Sequence, residues 1–474
     1  MLRRRNAKHR TAYLLSDFIM TSLAFFIFNI LRFHIIHGGT TEELWNYLLS
    51  RKLLLEQAFI PVILMFTYFL SGFYNNPFPR SRISEFLITS LSAAANALLL
   101  FMTILINDPT PRRRTEYLIF GALFLLLFTF TLTGRIIIST VSLKRARRSS
   151  HEIRTVIIGN SERGYRAADM ILSSKSVYRN RIAGIVAIEG EHTSPHTLDE
   201  VPMIPLENIK DFCRKERVSQ IVLAPEIIGD RNVLQMVAEF IDLDIPIKIA
   251  PDDLDYAMAG IRTVDLLGYT LIDLTTPRIS DFSRNMKRTF DILISVVSLI
   301  ILSPALLGVA LAVKLDSPGP VFYTQERMGR RRKPFRIIKF RSMRTDAEAD
   351  GPRLSSDNDT RITKIGRFLR KYRIDELPQL FNVIRGDMSI VGPRPEREYY
   401  SRQIVERVPW YGLIYQVRPG ITSWAMVKFG YASTLDQMVE RTKFDLIYIN
   451  NMSLLLDMKI LFHTVRTVLT GAGI

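Results

Sequence analysis

The chain has 474 residues, 63 lysines and arginines against 46 aspartates and glutamates, a net charge of +17 and a mean hydropathy of +0.11. Its apolar content excludes a disordered chain, and its single cysteine, Cys213, excludes an intrachain disulfide scaffold. A positive mean hydropathy is unusual in so basic a chain. The charge predicts an anionic partner: nucleic acid, anionic lipid or a phosphorylated substrate.

Four long apolar runs occupy the first third of the chain, and each has about the 20 residues that a helix needs to cross hydrocarbon. The runs are Thr11–Leu31, Leu53–Phe73, Phe86–Ile106 and Tyr117–Leu143. They predict a membrane protein with a four-helix transmembrane bundle over residues 1–148. Eleven lysines and arginines lie before the first run, between the second and third runs, and just after the fourth run. The segments that directly precede the second and fourth runs carry five. This asymmetry predicts that both ends face the cytoplasm.

Residues 149–255 alternate short β-branched runs with amphipathic helical segments, a pattern that predicts a parallel sheet with helices on its faces. Gly159-Asn160-Ser161-Glu162-Arg163-Gly164 follows the first predicted strand. It is a dinucleotide fingerprint whose middle glycine is replaced by serine. Nucleotide binding and a Rossmann-like α/β domain used only for packing both remain open, and the serine favours packing. A polar connector over residues 256–284 follows.

A fifth apolar run, Ile292–Val313, is long enough to cross a bilayer. Both of its flanks are basic, however, and Ser303-Pro304 interrupts it. A serine hydroxyl beside the proline can satisfy a carbonyl that the proline leaves without a donor. We therefore expect a re-entrant helix hairpin over residues 288–315, broken at Ser303 and Pro304. The alternative is a fifth, kinked transmembrane helix.

Segment Glu326–Arg373 holds 16 lysines and arginines against 6 acids. Its pattern predicts a strand over Arg336–Met343 and an amphipathic helix over Arg361–Arg373. Anionic headgroups and a phosphorylated substrate are the favoured partners. Nucleic acid is disfavoured because no aromatic series interleaves the bases and no recognition motif is present.

Asp375 and Glu376 follow the basic segment directly. One interpretation makes Asp375 a helix N-cap, with Gly386 as the C-cap. The other makes it a carboxylate, kept ionised by nearby arginines, that attacks phosphorus or binds Mg²⁺. The two interpretations are compatible. Downstream, the Gly/Pro-rich loops Met388–Glu396 and Val417–Ala425 each present an arginine suited to phosphate or a base edge.

Seven motifs in this order resemble the bacterial polyprenyl-phosphate hexose-1-phosphate transferases, the monotopic phosphoglycosyl transferases, in their large form. The motifs are Lys287-Arg288-Thr289-Phe290-Asp291, Ser303-Pro304, Asp316-Ser317-Pro318-Gly319-Pro320, Lys339-Phe340-Arg341-Ser342-Met343, Asp375-Glu376-Leu377-Pro378-Gln379, Gly392-Pro393-Arg394-Pro395 and Arg418-Pro419-Gly420-Ile421-Thr422. The resemblance covers the whole chain and implies a mainly α catalytic domain over residues 285–474.

The resemblance also implies a reaction. Asp375 would attack the sugar-linked phosphorus of a UDP-hexose, UMP would leave, and undecaprenyl phosphate would take the phosphosugar from the aspartate. Glu376 would assist as a metal ligand or in proton handling, with Mg²⁺ as cofactor. The residues expected at the substrate phosphates are Lys339, Arg341, Arg370 and Arg394, and those expected at the nucleotide or sugar are Arg418, Pro419, Gly420 and Trp424.

The implied setting is the bacterial cytoplasmic membrane, with the Rossmann-like and catalytic domains in the cytoplasm and surface-polysaccharide assembly as the pathway. A homodimer is left open. One loop departs from the family pattern: Ser423-Trp424-Ala425-Met426-Val427-Lys428 stands where many members have Gly-Trp-Ala-Gln-Val-Asn. The donor sugar is therefore left open, with glucose or galactose favoured by family analogy. The competing hypothesis is a membrane scaffold or nucleotide sensor that acts through the Rossmann-like domain.

Overall fold

The computed structural model describes most of the chain, in two compact units. One unit is formed mainly by the first 152 residues and the other mainly by the residues after them. The described residues are 2–36, 38–75, 82–104, 113–148, 152–174, 179–188, 201–225, 230–250, 271–275, 279–347, 351, 359–430, 432 and 434–470.

The first unit is helical, and it has a helix at each of the four predicted apolar runs. The helices are α1 (Leu2–Ile36), α2 (Thr41–Leu48), α3 (Arg51–Leu70), α4 (Arg82–Thr103) and α5 (Arg113–Arg148). All but the short α2 contain a stretch long and apolar enough to cross a membrane. Phe28 of α1, Leu64 of α3, Ala97 of α4 and Leu123 of α5 belong to one buried cluster, so these helices pack on one another.

A buried ion pair links the first and last of these helices. Arg135 of α5 donates from Nε and Nη2 to the Asp17 carboxylate of α1 at 2.7 to 3.2 Å, and from Nη1 to Thr89 Oγ1 at 2.8 Å. Neither charged side chain is exposed. The guanidinium carbon lies 3.6 Å from the centre of the Phe73 ring. An apolar environment leaves an unpaired charge unsolvated, so each partner is held in place by the other.

The second unit begins with a Rossmann-like sheet. Its strands are β1 (Glu152–Ile158), β2 (Arg179–Val186), β3 (Met203–Ile204), β4 (Gln220–Leu223), β5 (Ile247–Ile249) and β6 (Ile272–Asp273), in the order β3-β2-β1-β4-β5-β6. The pairs β2–β3, β1–β4 and β4–β5 are parallel, as predicted, and β6 is antiparallel to β5. The helices are α6 (Glu162–Ser173), α7 (Ile209–Lys215) and α8 (Asp230–Phe240). Strand β6 lies within the predicted connector, whose residues 256–270 are outside the described residues.

Packing accounts for both glycines of the interrupted fingerprint. Gly159 has a φ of +124°, and a Cβ there would collide with the carbonyl oxygen of Ala224. A Cβ at Gly164 would collide with the carbonyl oxygen of Gly159. Arg163 donates to the carbonyl oxygens of Pro225 and Ala250 at 3.0 and 2.6 Å, just beyond β4 and β5. These contacts favour the packing interpretation, and nucleotide binding stays a prediction.

The rest of the second unit is mainly helical, as predicted. Its helices are α9 (Asp281–Asp316), α10 (Lys364–Lys371), α11 (Leu380–Arg385), α12 (Glu398–Arg407), α13 (Trp424–Lys428), α14 (Leu435–Asn450) and α15 (Leu454–Thr470). Its strands are β7 (Phe322–Met328) and β8 (Pro334–Phe340), an antiparallel hairpin, and β9 (Ser389–Val391) and β10 (Gly420–Thr422), a parallel pair. Turns of 3₁₀ helix span Arg330–Arg332, Ile374–Gln379 and Pro409–Gln416.

Helix α9 continues through Pro304, where the sequence predicted an interruption. The physical reason is the neighbouring hydroxyl: Ser303 Oγ donates to the Ile300 carbonyl at 2.8 Å, the carbonyl that Pro304 leaves without a donor. The predicted role of the serine is thus confirmed, and its effect is to preserve the helix.

Both ends of α9 contact the same folded unit. Near the start, the Asp291 carboxylate accepts from Ser389 Oγ and Ile390 N at 2.7 and 3.1 Å. At the end, the Arg341 guanidinium donates to the carbonyl oxygens of Val313, Ser317 and Pro318 at 3.3, 2.6 and 2.7 Å. The middle of the helix presents exposed apolar side chains, which include Ile300, Ile301 and Leu307.

Removing one partner of the ion pair in the first unit should destabilise it strongly. We expect Asp17→Ala to lower the free energy of unfolding by about 3–5 kcal/mol, because Arg135 is left buried and unpaired. The double variant Asp17→Leu/Arg135→Met should lose much less, since it removes both charges. Thermal unfolding in detergent measures both. Lys52→Ala is the control, because this lysine is exposed and 3.9 Å from Glu56. Equal losses in the single and double variants would contradict the prediction.

Candidate functional site

Asp375 and Glu376 lie in a buried 3₁₀ turn between α10 and α11, and they are 7% and 6% exposed. The cap of this turn is Arg373, whose φ of +51° is left-handed. Asp375 therefore lies inside the turn, and the predicted N-cap role is wrong. Gly386 is the C-cap of α11, with a φ of +97°, as predicted.

Three cations surround the Glu376 carboxylate. Lys339 of β8 donates to Oε1 at 2.8 Å, Arg394 lies 3.5 Å from Oε1, and Arg373 donates to Oε2 at 3.4 Å. Burial alone would raise the pKa of Glu376, but the charges of Lys339, Arg394 and Arg373 outweigh it and lower that pKa. Burial lowers the pKa of Lys339, and Glu376 opposes that change. Glu376 is therefore a fixed negative charge that holds three basic side chains together.

Asp375 stands in this cluster without a hydrogen-bond donor among the described residues. Burial raises the pKa of Asp375 to about 6, and the Glu376 charge adds to the rise, although Lys339, Arg370 and Arg373 oppose it. The sequence predicted that nearby arginines would keep this carboxylate ionised. Burial beside a second acid weakens that effect, so Asp375 is ionised at neutral pH and takes up a proton in mildly acidic solution.

The structure brings two of the other predicted phosphate ligands to the dyad, and Arg341 lies elsewhere. Arg370 donates from Nε to Ser342 Oγ at 3.0 Å and acts electrostatically on Asp375. Arg394 contacts Glu376, as described above. Arg341 is buried, and its guanidinium is bonded to carbonyls at the end of α9. Its contacts here are structural, and they do not support the predicted phosphate-binding role.

The predicted nucleotide or sugar loop is held against the loop that carries Arg394. Arg418 donates from Nε to the Gly386 carbonyl at 2.8 Å. The Pro419 carbonyl accepts from Ser389 N at 2.9 Å, and Gly420 N donates to the Pro393 carbonyl at 2.8 Å. The two loops are therefore joined by backbone hydrogen bonds.

The segment that departs from the family pattern reaches the same region. Met426 Sδ lies 3.5 Å from Arg394 Nη1, and Lys428 Nζ lies 5.0 Å from the centre of the Trp424 ring. Trp424 is thus next to a cation, and Met426 contacts an arginine of the dyad cluster. Residues Tyr431 and Ser433, which follow, are outside the described residues.

The residues fit Mg²⁺ through Asp375 and not through Glu376. Both Glu376 oxygens are engaged by cations, which compete with a metal for the same lone pairs. Asp375 offers an unengaged carboxylate, and Mg²⁺ is commonly held by one or two carboxylates together with substrate phosphates. No cluster of three or more potential metal-ligating side chains occurs within the described part of the chain.

Sequence reasoning missed a buried carboxylate beneath the two loops. Asp445 of α14 is buried, and both Ser423 and the backbone of Arg394 act to lower its pKa. Burial raises its pKa to about 7, with Arg441 opposing and Glu396 adding to the rise. Glu396 in turn pairs with Arg441 and, at 3.6 Å, with Arg327. The sequence shows a charged residue at each of these positions. It does not show which of them pair, because the partners lie in distant parts of the chain.

Comparison with known proteins divides the chain into two matched regions. Residues 282–471 match the family described as bacterial sugar transferase, and residues 70–251 match a family described as CoA-binding domain.

Three relatives illustrate the similarity. The chain is 47% identical over 188 residues to the UDP-N-acetylgalactosamine-undecaprenyl-phosphate N-acetylgalactosaminephosphotransferase of Aeromonas hydrophila, a match that covers 40% of this chain and 44% of that protein. It is 36% identical over 262 residues to the UDP-glucose:undecaprenyl-phosphate glucose-1-phosphate transferase of Escherichia coli (strain K12), covering 55% and 56%. It is 44% identical over 196 residues to the exopolysaccharide production protein PSS of Rhizobium leguminosarum bv. phaseoli, covering 40% and 98%. The chain thus spans about half the length of the first two relatives and nearly all of the third.

Asp445 should make stability depend on pH. Its pKa is raised from 3.8 to about 7, so the folded chain holds the proton more tightly than the unfolded chain. The resulting stabilisation is complete below pH ~4 and is lost as the pH rises through about 7. We expect the Tm in detergent to fall less between about pH 5 and pH 8 in Asp445→Asn than in the parent. Asp436→Asn, an exposed position on the same helix, is the control. Parallel curves for all three proteins would contradict the prediction.

Proposed function

Because this chain belongs to the bacterial sugar transferase family, we propose that it transfers a hexose-1-phosphate from a UDP-hexose to undecaprenyl phosphate. Relatives that share the catalytic region are named for this class of transfer, with N-acetylgalactosamine in one name and glucose in another. The product would be the lipid-linked sugar that begins a surface polysaccharide, and one relative is named for exopolysaccharide production.

The observation that carries the proposal is the Asp375 carboxylate, free of hydrogen-bond donors among the described residues, next to a Glu376 that gathers three cations. A carboxylate without bonded donors keeps its lone pairs available for attack. The neighbouring cations can stabilise the negative charge that grows on phosphate oxygens during transfer.

In the first step an Asp375 carboxylate oxygen attacks the sugar-linked phosphorus. A new O–P bond forms, the bond from that phosphorus to the bridging oxygen breaks, and UMP leaves with the electron pair. A phosphosugar remains joined to the aspartate as an acyl phosphate. In the second step a phosphate oxygen of undecaprenyl phosphate attacks the same phosphorus, and the bond to Asp375 breaks to restore the carboxylate. The glycosidic C–O bond is never broken.

Lys339, Arg370, Arg373 and Arg394 supply the positive charge that these two anionic substrates require. Glu376 is the counter-charge that lets several of these cations lie together in a buried site. The attacking carboxylate must be ionised, so the rate should fall as the pH drops below about 6, where Asp375 is protonated. Mg²⁺, held by Asp375 and the diphosphate, would neutralise part of the substrate charge.

We propose that α9 bends at Pro304, where proline commonly kinks a helix, and so enters the membrane and returns on the side it came from. The support is that both of its ends contact one folded unit: Asp291 bonds to β9, and Arg341, just after β8, bonds to carbonyls at the far end. A spanning helix would have to separate these ends by about 30 Å of hydrocarbon. We expect that side to be the cytoplasm, at the inner membrane of a bacterium, because basic residues lie beyond both ends of the helix.

Asp375→Asn should abolish the reaction because an amide cannot act as the nucleophile. We expect UMP release, from undecaprenyl phosphate and a panel of UDP-glucose, UDP-galactose and UDP-N-acetylgalactosamine, to fall at least about a thousandfold. Without acceptor, the parent should release one UMP per active site at most and retain radiolabelled sugar on the protein. The exposed Asp436→Asn is the matched control. Parental rates in Asp375→Asn would overturn the covalent mechanism.

Cysteine labelling tests the path of α9. In a Cys213→Ser background, Lys314→Cys should react with a membrane-impermeant maleimide in inverted vesicles and stay unlabelled in intact spheroplasts. Lys52→Cys, in a loop that charge asymmetry assigns to the outside, is the opposite-side control, and its lysine is exposed. Labelling of Lys314→Cys from outside would refute the re-entrant path and support a fifth transmembrane helix.

A further inference from the structure

The Rossmann-like domain and the catalytic region share their hydrophobic cores. Ile241, in the 3₁₀ turn that follows α8, is a buried member of the catalytic core. Leu413, in the 3₁₀ segment Pro409–Gln416 of the catalytic region, packs into the core of the Rossmann-like domain. Each region thus inserts an aliphatic side chain into the other, an arrangement typical of a permanent interface.

The segment Pro409–Gln416 lies directly against α8. A Cβ at Gly412 would come within 2.7 Å of the Ala238 carbonyl oxygen, so the two backbones touch. At the end of the segment, Gln416 Nε2 donates to the Leu274 carbonyl at 3.1 Å, next to β6. The ion pair between Arg331 and Asp244 adds a contact from the tip of the β7–β8 hairpin.

This segment leads, without intervening structure, into the loops of the candidate site. Arg418 follows Gln416 by two residues and donates to Gly386, the C-cap of the helix that follows the dyad. The residues after Arg418 are hydrogen-bonded to the loop just before Arg394. Gly420 N donates to the Pro393 carbonyl at 2.8 Å, and Gly392 N donates to the Thr422 carbonyl at 3.0 Å. Arg394 then contacts Glu376. A continuous set of contacts therefore runs from α8 to the dyad, through backbone hydrogen bonds between the loops and the side chains of Arg418 and Arg394.

We infer that the Rossmann-like domain is a positioning element of the transferase site: through segment Pro409–Gln416 it holds the loops that carry Arg394 and Arg418. The inference rests on the proposed function. The Rhizobium relative, 98% of which is matched by 196 residues of this chain, has about the length of the catalytic region alone. The shared core is therefore a feature of longer chains such as this one.

Leu413→Ala tests the inference in the full-length protein in detergent or nanodiscs. It removes the side chain that enters the Rossmann-like core and leaves every residue of the dyad cluster in place. Ile209→Ala is the matched control, because it removes the same number of atoms from the same core at a buried position on α7. Leu413→Met restores the volume and should restore the parental behaviour.

Two readouts separate positioning from general stability. First, kcat/KM for UMP release should fall about tenfold in Leu413→Ala and not in Ile209→Ala. Second, backbone hydrogen exchange over residues 389–394 and 418–422 should quicken in Leu413→Ala and remain parental in Ile209→Ala.

The exchange measurement does not depend on activity. If the parent itself releases no UMP, the proposed function fails, and exchange still decides whether the domain positions the loops. Unchanged exchange in Leu413→Ala, or equal changes in Leu413→Ala and Ile209→Ala, would overturn the inference.

Discussion

The site depends on one buried negative charge. Glu376 is 6% exposed and contacts Lys339, Arg373 and Arg394, which come from a strand, a turn and a loop far apart in sequence. Without this carboxylate the cations would repel one another in a region of low dielectric. With it they form a compact positive surface around Asp375. The adjacent acid therefore serves the nucleophile indirectly, by allowing a high local density of positive charge.

A second consequence of this arrangement is that the carboxyl groups of Asp375 and Glu376, although chemically alike, have different properties. Two neighbouring carboxylates in one turn have pKa values moved in opposite directions. The Glu376 carboxylate is surrounded by hydrogen-bond donors and cations, which lower its pKa, so it loses its proton at a lower pH than Asp375 does. Burial and the negative charge of Glu376 raise the pKa of Asp375, so Asp375 is the more basic of the two acids. Environments that push two acids apart in this way are typical of sites in which the acids have different tasks.

Local patterns predicted the elements well, and long-range pairings decided what the patterns could not. The apolar runs, the strand–helix alternation and the Gly386 cap follow from periodicity and backbone preference within short windows. The raised pKa of Asp375 requires burial, which only the packed structure supplies. Arg341 belongs to a basic run that resembles a phosphate site, yet its guanidinium donates hydrogen bonds to carbonyls at the end of α9. Asp445 gave no signal because its partners on two loops lie far from it in sequence.

The ion pair between Asp17 and Arg135 has a consequence for the order of biogenesis. Its members are 118 residues apart, on the first and the last long helix of their unit. When α1 leaves the ribosome, its Asp17 carboxylate cannot pair with Arg135, because α5 has not yet been synthesised. An isolated helix with a buried acid is costly to release into lipid. We therefore expect α1 to remain in a hydrated or protein-lined site until α5 arrives, so that a helix synthesised before α5 takes its final position in the membrane only after α5 is made.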